Sequence, residues 1–201
     1  MELKLLNKDE LADLYYREMT NTFPKSELKP LSGMLRLMDM GNYEPLLALE
    51  NGEAVGYAMI WPTEDRKGAL LEYLGVFRGK RNGGRGSRIL SCVCEKYGQL
   101  FGEAEAPDSE DPEENDLQSR RLGFYLRNGF RVLNYECALF GVHFNCIYRG
   151  PEEDEEKILA MHQGIYAGYF SPEHRSRYIQ LPLKPGEPIH PAPEWIEETG
   201  S

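Results

Sequence analysis

The sequence predicts one domain of mixed α/β class, and three observations carry that prediction. An apolar run from Leu70 to Phe77 passes through a short basic, glycine-rich turn. It then enters a stretch where Ile89, Leu90, Val93, Tyr97, Leu100 and Phe101 recur at helical spacing, which reads as strand, loop, helix. Asn51-Gly52 separates two apolar runs, Tyr43 to Leu49 and Ala54 to Trp61, the pattern of a tight β-hairpin. The chain as a whole interleaves the two element types: strand, two helices, three strands, helix, strand, helix, two strands. At 201 residues, 41% apolar and 28% charged, it is long enough and apolar enough to fold around one substantial core.

In chain order, residues 2–6 form a short edge strand, and Asn7 or Asp9 caps a helix whose Leu11, Leu14 and Tyr15 share a face. A second helix opens at Ser26, with Pro30 near its start, shows Leu28, Leu31, Leu35 and Met38, and stops at Gly41. After the hairpin come a strand at 69–77, the central helix at 84–101 and a short strand from Gly102 to Ala106. Residues 107–116 read as a proline-broken acidic loop. From Glu103 to Asp116 there are eight acids and no Lys or Arg, either a solvated loop or a lure for a cationic substrate. A helix from about Leu117 to Asn128 ends at Gly129, and strands follow at 131–140 and 142–148 around Gly141.

Residues 1–150 are thus expected to form the domain proper, and 151–201 an extension packed on it or on a partner subunit. The extension begins with an acidic amphipathic helix at 152–170, carrying Ile158, Met161, Ile165 and Tyr169 on one side. Prolines at 172, 182, 185, 188, 191 and 193 then argue against regular helix or central strand. Wrapping the domain, covering a cleft and joining a homodimer all remain open for this tail.

Charge and cysteines narrow the function. A net charge of -10, from 23 basic and 33 acidic residues, argues against nucleic-acid and membrane-surface partners. No apolar run nears the roughly 20 residues of a spanning helix, and the segment Met1 to Glu10 turns charged too early for a signal peptide. Cys92, Cys94, Cys137 and Cys146 have no metal-ligand spacing to His143, His162, His174 or His190. A cytoplasmic protein with reduced thiols and no metal is expected.

The turn after the strand at 69–77 carries chemistry. Four glycines between 79 and 86 allow close backbone approach, Lys80, Arg81 and Arg85 add charge, and a helix N-terminus follows. That is a phosphate cradle. It is not a Walker A loop: Gly75 to Lys80 is one residue short, and Arg81 stands where a hydroxyl belongs. Nor is it a dinucleotide fingerprint, since Gly84-Arg85-Gly86 is followed by Ser87, Arg88 and Ile89. Arg81-Asn82-Gly83-Gly84-Arg85-Gly86, with Val76 five residues upstream, resembles the acetyl-coenzyme A motif of the GNAT superfamily of N-acetyltransferases. Phe124-Tyr125 ahead of Gly129-Phe130 is a second point of resemblance, and the element order over about residues 1–148 is a third. One departure stands at Gln118, where many members carry Asn.

The resemblance implies a GNAT fold with a mostly antiparallel central sheet of about seven strands flanked by helices. It implies acetyl-CoA as co-substrate, held by Val76, Phe77, Arg78, Arg81, Asn82, Gly83, Gly84, Arg85, Gly86 and Ser87. An amine, small or peptidic and of cationic type if the acidic loop serves it, would attack directly in a ternary complex. The backbone N–H at Val76 would polarise the acetyl carbonyl, and Tyr125 would protonate the leaving thiolate. For the general base, Glu72 is an acid inside an otherwise apolar strand, where a buried carboxylate needs a partner or a raised pKa. Glu103 and Glu105 are its rivals. A module that binds acyl-CoA without turnover, or a protein working through its acidic loop and tail, are the alternatives.

Overall fold

The computed structural model describes residues 1–25 and 27–192. They fall into two compact units, Met1–Gly98 and the described residues from Gln99 onward.

In the first unit, β1 (Glu2–Leu5) runs antiparallel to β2 (Glu44–Glu50). Asn7 caps α1 (Lys8–Leu14) in a reciprocal capping box with Glu10, which settles the choice between Asn7 and Asp9. The chain continues through a π-helical turn, Tyr15–Met19. Leu11, Leu14 and Met19 are buried, while Tyr15 is half-buried. Ser26, the expected start of the next helix, lies outside the described residues. α2 (Leu31–Asp39) follows Pro30, and its core face is Met34 and Leu37; Leu31, Leu35 and Met38 are only half-buried. β2 and β3 (Glu53–Pro62) form the hairpin, with Asn51 at φ 53° and Gly52 at φ 79°. β4 (Ala69–Val76) pairs antiparallel with β3, so the strand order is β1-β2-β3-β4. Leu71 faces Ile60 and Tyr73 faces Met59, which leaves Glu72 as the extra residue of a β-bulge.

α3 (Arg85–Tyr97) packs Ile89, Leu90, Val93 and Tyr97 into the core. It is shorter than expected. Gly98 takes φ 75° and donates its N–H to Cys94 O, which closes the helix. Leu100 and Phe101 therefore belong to a strand; at this junction the apolar spacing fits both periods.

The second unit opens with that strand, β5 (Leu100–Glu105). α4 (Pro112–Arg127) starts about five residues before the expected position, because Asp111 caps it and Pro112 fits its first turn. Gly129, at φ 83°, follows its end. β6 (Arg131–Leu139) and β7 (Val142–Arg149) turn at Phe140 and Gly141, both at positive φ. α5 (Glu155–Ala167), capped by Asp154, buries Ile158, His162, Ile165 and Tyr166, and leaves Met161 and Tyr169 half-buried. The tail departs from expectation. Ser171 and Pro172 start a regular helix, α6 (Pro172–Tyr178), since proline is tolerated at a helix's first turn. β8 (Ile179–Gln180) then pairs with β6, an eighth strand where about seven were expected. The order is β5-β7-β6-β8, antiparallel throughout. Pro193 lies outside the described residues.

Candidate functional site

Gly75 on β4 lies under the ring of Tyr57 on β3. A Cβ there would come within 2.3 Å of the ring, so only glycine lets the strands meet in this way. One residue on, Val76 ends the strand, Phe77 N–H donates to Val55 O at 3.1 Å, and Arg78–Lys80 form one 3-10 turn. Asn82, Gly83 and Gly84 then take three successive left-handed conformations, φ 79°, 69° and 71°. Gly84 is the N-cap of α3 and supplies no side-chain cap. Arg88 is the first residue whose N–H reaches a helical carbonyl, Gly84 O at 3.1 Å. The N–H groups of Arg85, Gly86 and Ser87 therefore have no acceptor within the helix. A Cβ on Gly84 would meet nothing within 4 Å, so the approach to these donors is open. The helix dipole favours an anion at this point.

The cations around the loop divide into two sets. Lys80 pairs with Glu53, and Arg85 and Arg88 share Glu50, all from the β2–β3 hairpin. Arg85 also donates to Lys80 O and Asn82 O, lacing the loop together. Arg78 and Arg81 have no acidic partner among the described residues; Arg81 Nε approaches Val76 O at 3.5 Å.

Both oxygens of Glu72 are engaged. Lys29 Nζ lies 2.9 Å from Oε1, and the Tyr43 hydroxyl donates to Oε2 at 2.5 Å. Burial, then the charge of Glu72, pushes the Tyr43 phenol well up. Lys29 Nζ also sits 4.9 Å from the Trp61 ring centre, and its backbone N–H donates to the Tyr73 hydroxyl.

In the second unit, Tyr125 occupies the last turn of α4. Its ring packs edge-on against Phe124 and Phe130, at 5.3 and 5.4 Å between centroids. Burial pushes its phenol up to about 12 against the opposing pull of Arg121, so the hydroxyl keeps its proton at neutral pH. Gln118 Oε1 is buried without a hydrogen-bond partner. Glu105 is tied to Arg121 at 3.1 Å.

Glu103 has company the sequence reading did not foresee. His162 Nε2 lies 3.0 Å from Glu103 Oε1, and the Tyr166 hydroxyl donates to the same oxygen at 2.5 Å. Glu103 Oε2 has no partner among the described residues. His162 Nδ1 faces the Tyr135 hydroxyl at 3.2 Å, and the Cys146 thiol hydrogen-bonds the imidazole. Burial alone would keep His162 neutral, but Cys146 and Glu103 raise its pKa from 6.5 to about 9. Cys146 moves the other way. Burial would raise it, but hydrogen bonds to Cys137 and His162 bring it below the usual thiol range. The signal was legible in principle: positions 158, 162, 165 and 166 make a better core stripe than 158, 161, 165 and 169 once His and Tyr count as core residues.

The acidic loop is more fully partnered in space than in sequence. Asp108 bonds His143 Nδ1 at 2.7 Å, Glu136 bonds its Nε2 at 3.1 Å, and Asp116 pairs with Arg120. Burial would lower the His143 pKa, but these two carboxylates raise it. Asp111 caps α4, and Glu114 accepts from Ser109. Among the described residues, no group of three or more metal-ligating side chains could hold an ion, and no helix is long and apolar enough to cross a membrane.

A strand that ends in a left-handed glycine loop, followed by a helix without a side-chain cap, places backbone N–H donors where an anion is favoured in an α/β protein. The sequence model of the acetyltransferase (GNAT) family matches residues 8–130. The chain belongs to that family and has the GNAT fold. No curated protein sequence matches it. Among solved structures it is similar to a protein assigned to the GNAT acetyltransferases from Bacteroides thetaiotaomicron. That match has TM-score 0.65 and 20% identity, over 84% of this chain and 98% of the other. The aminoglycoside 6'-N-acetyltransferase from Enterococcus faecium gives TM-score 0.52 and 16% identity, over 77% and 100%. A GNAT-like decarboxylase in complex with isobutyryl-CoA gives TM-score 0.55 and 15% identity, over 75% and 99%. At these identities the likeness is one of fold.

Proposed function

We propose that the protein is an N-acetyltransferase that moves the acetyl group of acetyl-CoA directly to a primary amine, without a covalent enzyme intermediate. One observation carries this reading: the open, uncapped N-terminus of α3 behind the left-handed loop Asn82-Gly83-Gly84. Its free N–H groups suit the pyrophosphate of the coenzyme. In this reading Val76, Phe77 and Arg78 line the pantetheine, and Arg81 through Ser87 form the cradle. Arg85 mainly shapes the loop. Bound acetyl-CoA supplies the activated thioester, and Tyr125 donates the proton to the departing sulfur.

The base is assigned to Glu103 rather than Glu72. Both oxygens of Glu72 are occupied by Lys29 and Tyr43, whereas Glu103 keeps Oε2 open to accept a proton. The acceptor class is cationic amines, which the exposed acids Glu110 and Glu113 would attract; the acetyltransferase of similar fold from Enterococcus faecium is named for an aminoglycoside.

The test is coenzyme A release across a panel of polyamines, aminoglycosides, basic peptides and neutral amines, beside calorimetric titration with acetyl-CoA. Release with the cationic members, weakened at high salt, is the expected result. Tight binding without release on any amine would make the protein an acyl-CoA-binding module. The lack of any coenzyme A binding would remove the cradle assignment as well.

A further inference from the structure

His162 and Tyr166 lie on α5, beyond the stretch that matches the family, yet both hold Glu103 on β5. They converge on one oxygen, Oε1, and leave Oε2 without a partner among the described residues. His162 is fully buried and the Glu103 side chain is 11% exposed, so of this pair Glu103 is the one that an outside group can reach. We propose that His162 and Tyr166 are positioning residues that anchor Glu103 through Oε1, so that Oε2 takes the proton from the acceptor amine. This rests on the N-acetyltransferase reading and extends it to residues of the C-terminal extension.

The chemistry balances simply. The ammonium N–H bond breaks, an O–H bond forms at Glu103 Oε2, and the electron pair left on nitrogen attacks the acetyl carbon. The carboxyl then returns its proton to solvent. Two partners on one oxygen, the His162 imidazole and the Tyr166 hydroxyl, fix the orientation of the carboxylate. The titratable groups facing His162 are Glu103 on β5, Tyr135 on β6, Cys146 on β7 and Tyr166 on its own helix. Cys146 and Glu103 both stabilise the imidazolium, so the cation persists through the working range.

A merely structural role would alter stability alone, whereas a positioning role lowers kcat with the amine KM and the acetyl-CoA affinity nearly unchanged. With the best amine of the panel, Glu103→Gln lowers kcat by about 10²–10⁴-fold, and lowers the pH at which the His162 imidazole titrates by NMR. His162→Ala and Tyr166→Phe, which keeps the ring, each lower kcat by less than Glu103→Gln, and His162→Gln, which keeps a donor of similar reach, recovers part of the His162→Ala loss. Wild-type kcat in folded His162→Ala overturns the proposal. Should that variant fail to fold, wild-type kcat in Tyr166→Phe does so. If Glu103→Gln behaves as wild type while Glu72→Gln loses kcat, the base is Glu72; the proposal falls and the N-acetyltransferase reading stands. No turnover with any amine sinks both.

Discussion

Glu72 and Glu103 sit on strands in the two halves of the chain, with side chains 14% and 11% exposed, yet they keep different company. Glu72 meets a lysine and a tyrosine, one on each oxygen. This acid is therefore held on both sides. Glu103 meets a histidine and a tyrosine, both on one oxygen. Burial is nearly the same for both, so it does not choose between them as the proposed base. In the proposed reading the count of open oxygens does.

The difference extends to the two halves. In the first, the ion pairs around the cradle use Lys and Arg: Lys80 with Glu53, Arg85 and Arg88 with Glu50. In the second, the buried polar cluster is built from His162, Cys146, Tyr135 and Tyr166 around Glu103. The proposed reading therefore assigns binding to the first half and proton transfer to the second. Its largest expected consequence lies at Tyr125. Tyr125→Phe keeps the ring against Phe124 and Phe130 and removes only the hydroxyl. Steady-state kinetics should show kcat lower by about 10²–10⁴-fold, with acetyl-CoA affinity nearly unchanged. Wild-type turnover in a folded variant would make Tyr125 a packing residue and leave the second half without its acid.

The cradle gives the next largest effect, and the first half contains its own control. Gly41 and Gly84 have nearly the same backbone, φ 72° and 71°, and a Cβ on either would meet nothing within 4 Å. Gly41→Val and Gly84→Val should therefore lose similar stability from strain at positive φ. Only Gly84→Val should also weaken acetyl-CoA binding, by about 1.5–3 kcal/mol for a backbone bond to a charged group. Calorimetry on both variants reads the contrast. Equal affinities would put the phosphate site elsewhere.

How much of this was legible follows from the physics of each residue. The glycine turn between strand and helix was legible, because glycines, a basic turn and a following helix are local in sequence. So was the hairpin at Asn51-Gly52. Glu72 was expected to need a partner or a raised pKa, and Lys29 is a partner; it comes from a loop more than 40 positions upstream, which no local pattern announces. Glu103 was a rival base, but its anchors were invisible. His162 and Tyr166 lie 59 and 63 positions downstream, on a helix whose buried side was assigned one residue away. The start of α4 was missed for another reason. Asp111-Pro112 was read as loop because of its acids, although aspartate before proline is also a helix-start signal.

The smallest effect is one of stability against pH, and it sharpens the contrast between a lysine and a histidine partner. The His162 pKa is raised in the folded chain, from 6.5 to about 9. Its charge therefore stabilises the fold fully below about pH 6.5 and stops doing so as pH rises through about 9, a total of up to roughly 3 kcal/mol by linkage. The lowered Cys146 thiol has the opposite sense, stabilising at high pH and less as pH falls. The two slopes partly cancel in the wild type. Urea unfolding of His162→Gln between pH 6.5 and 9 should show a shallower loss of stability with rising pH than wild type. Identical slopes in the two would mean that His162 carries no charge in the folded state.

The position of His162 and Tyr166 outside the family-matched stretch bears on how such chains are cut and compared. A fragment ending near residue 150 would retain every motif residue and still lose both anchors of Glu103, leaving a carboxylate inside the fold with nothing to hold it. Recognisability and completeness thus end at different places along this polypeptide: the first stops at residue 130, and the second runs at least to Tyr166.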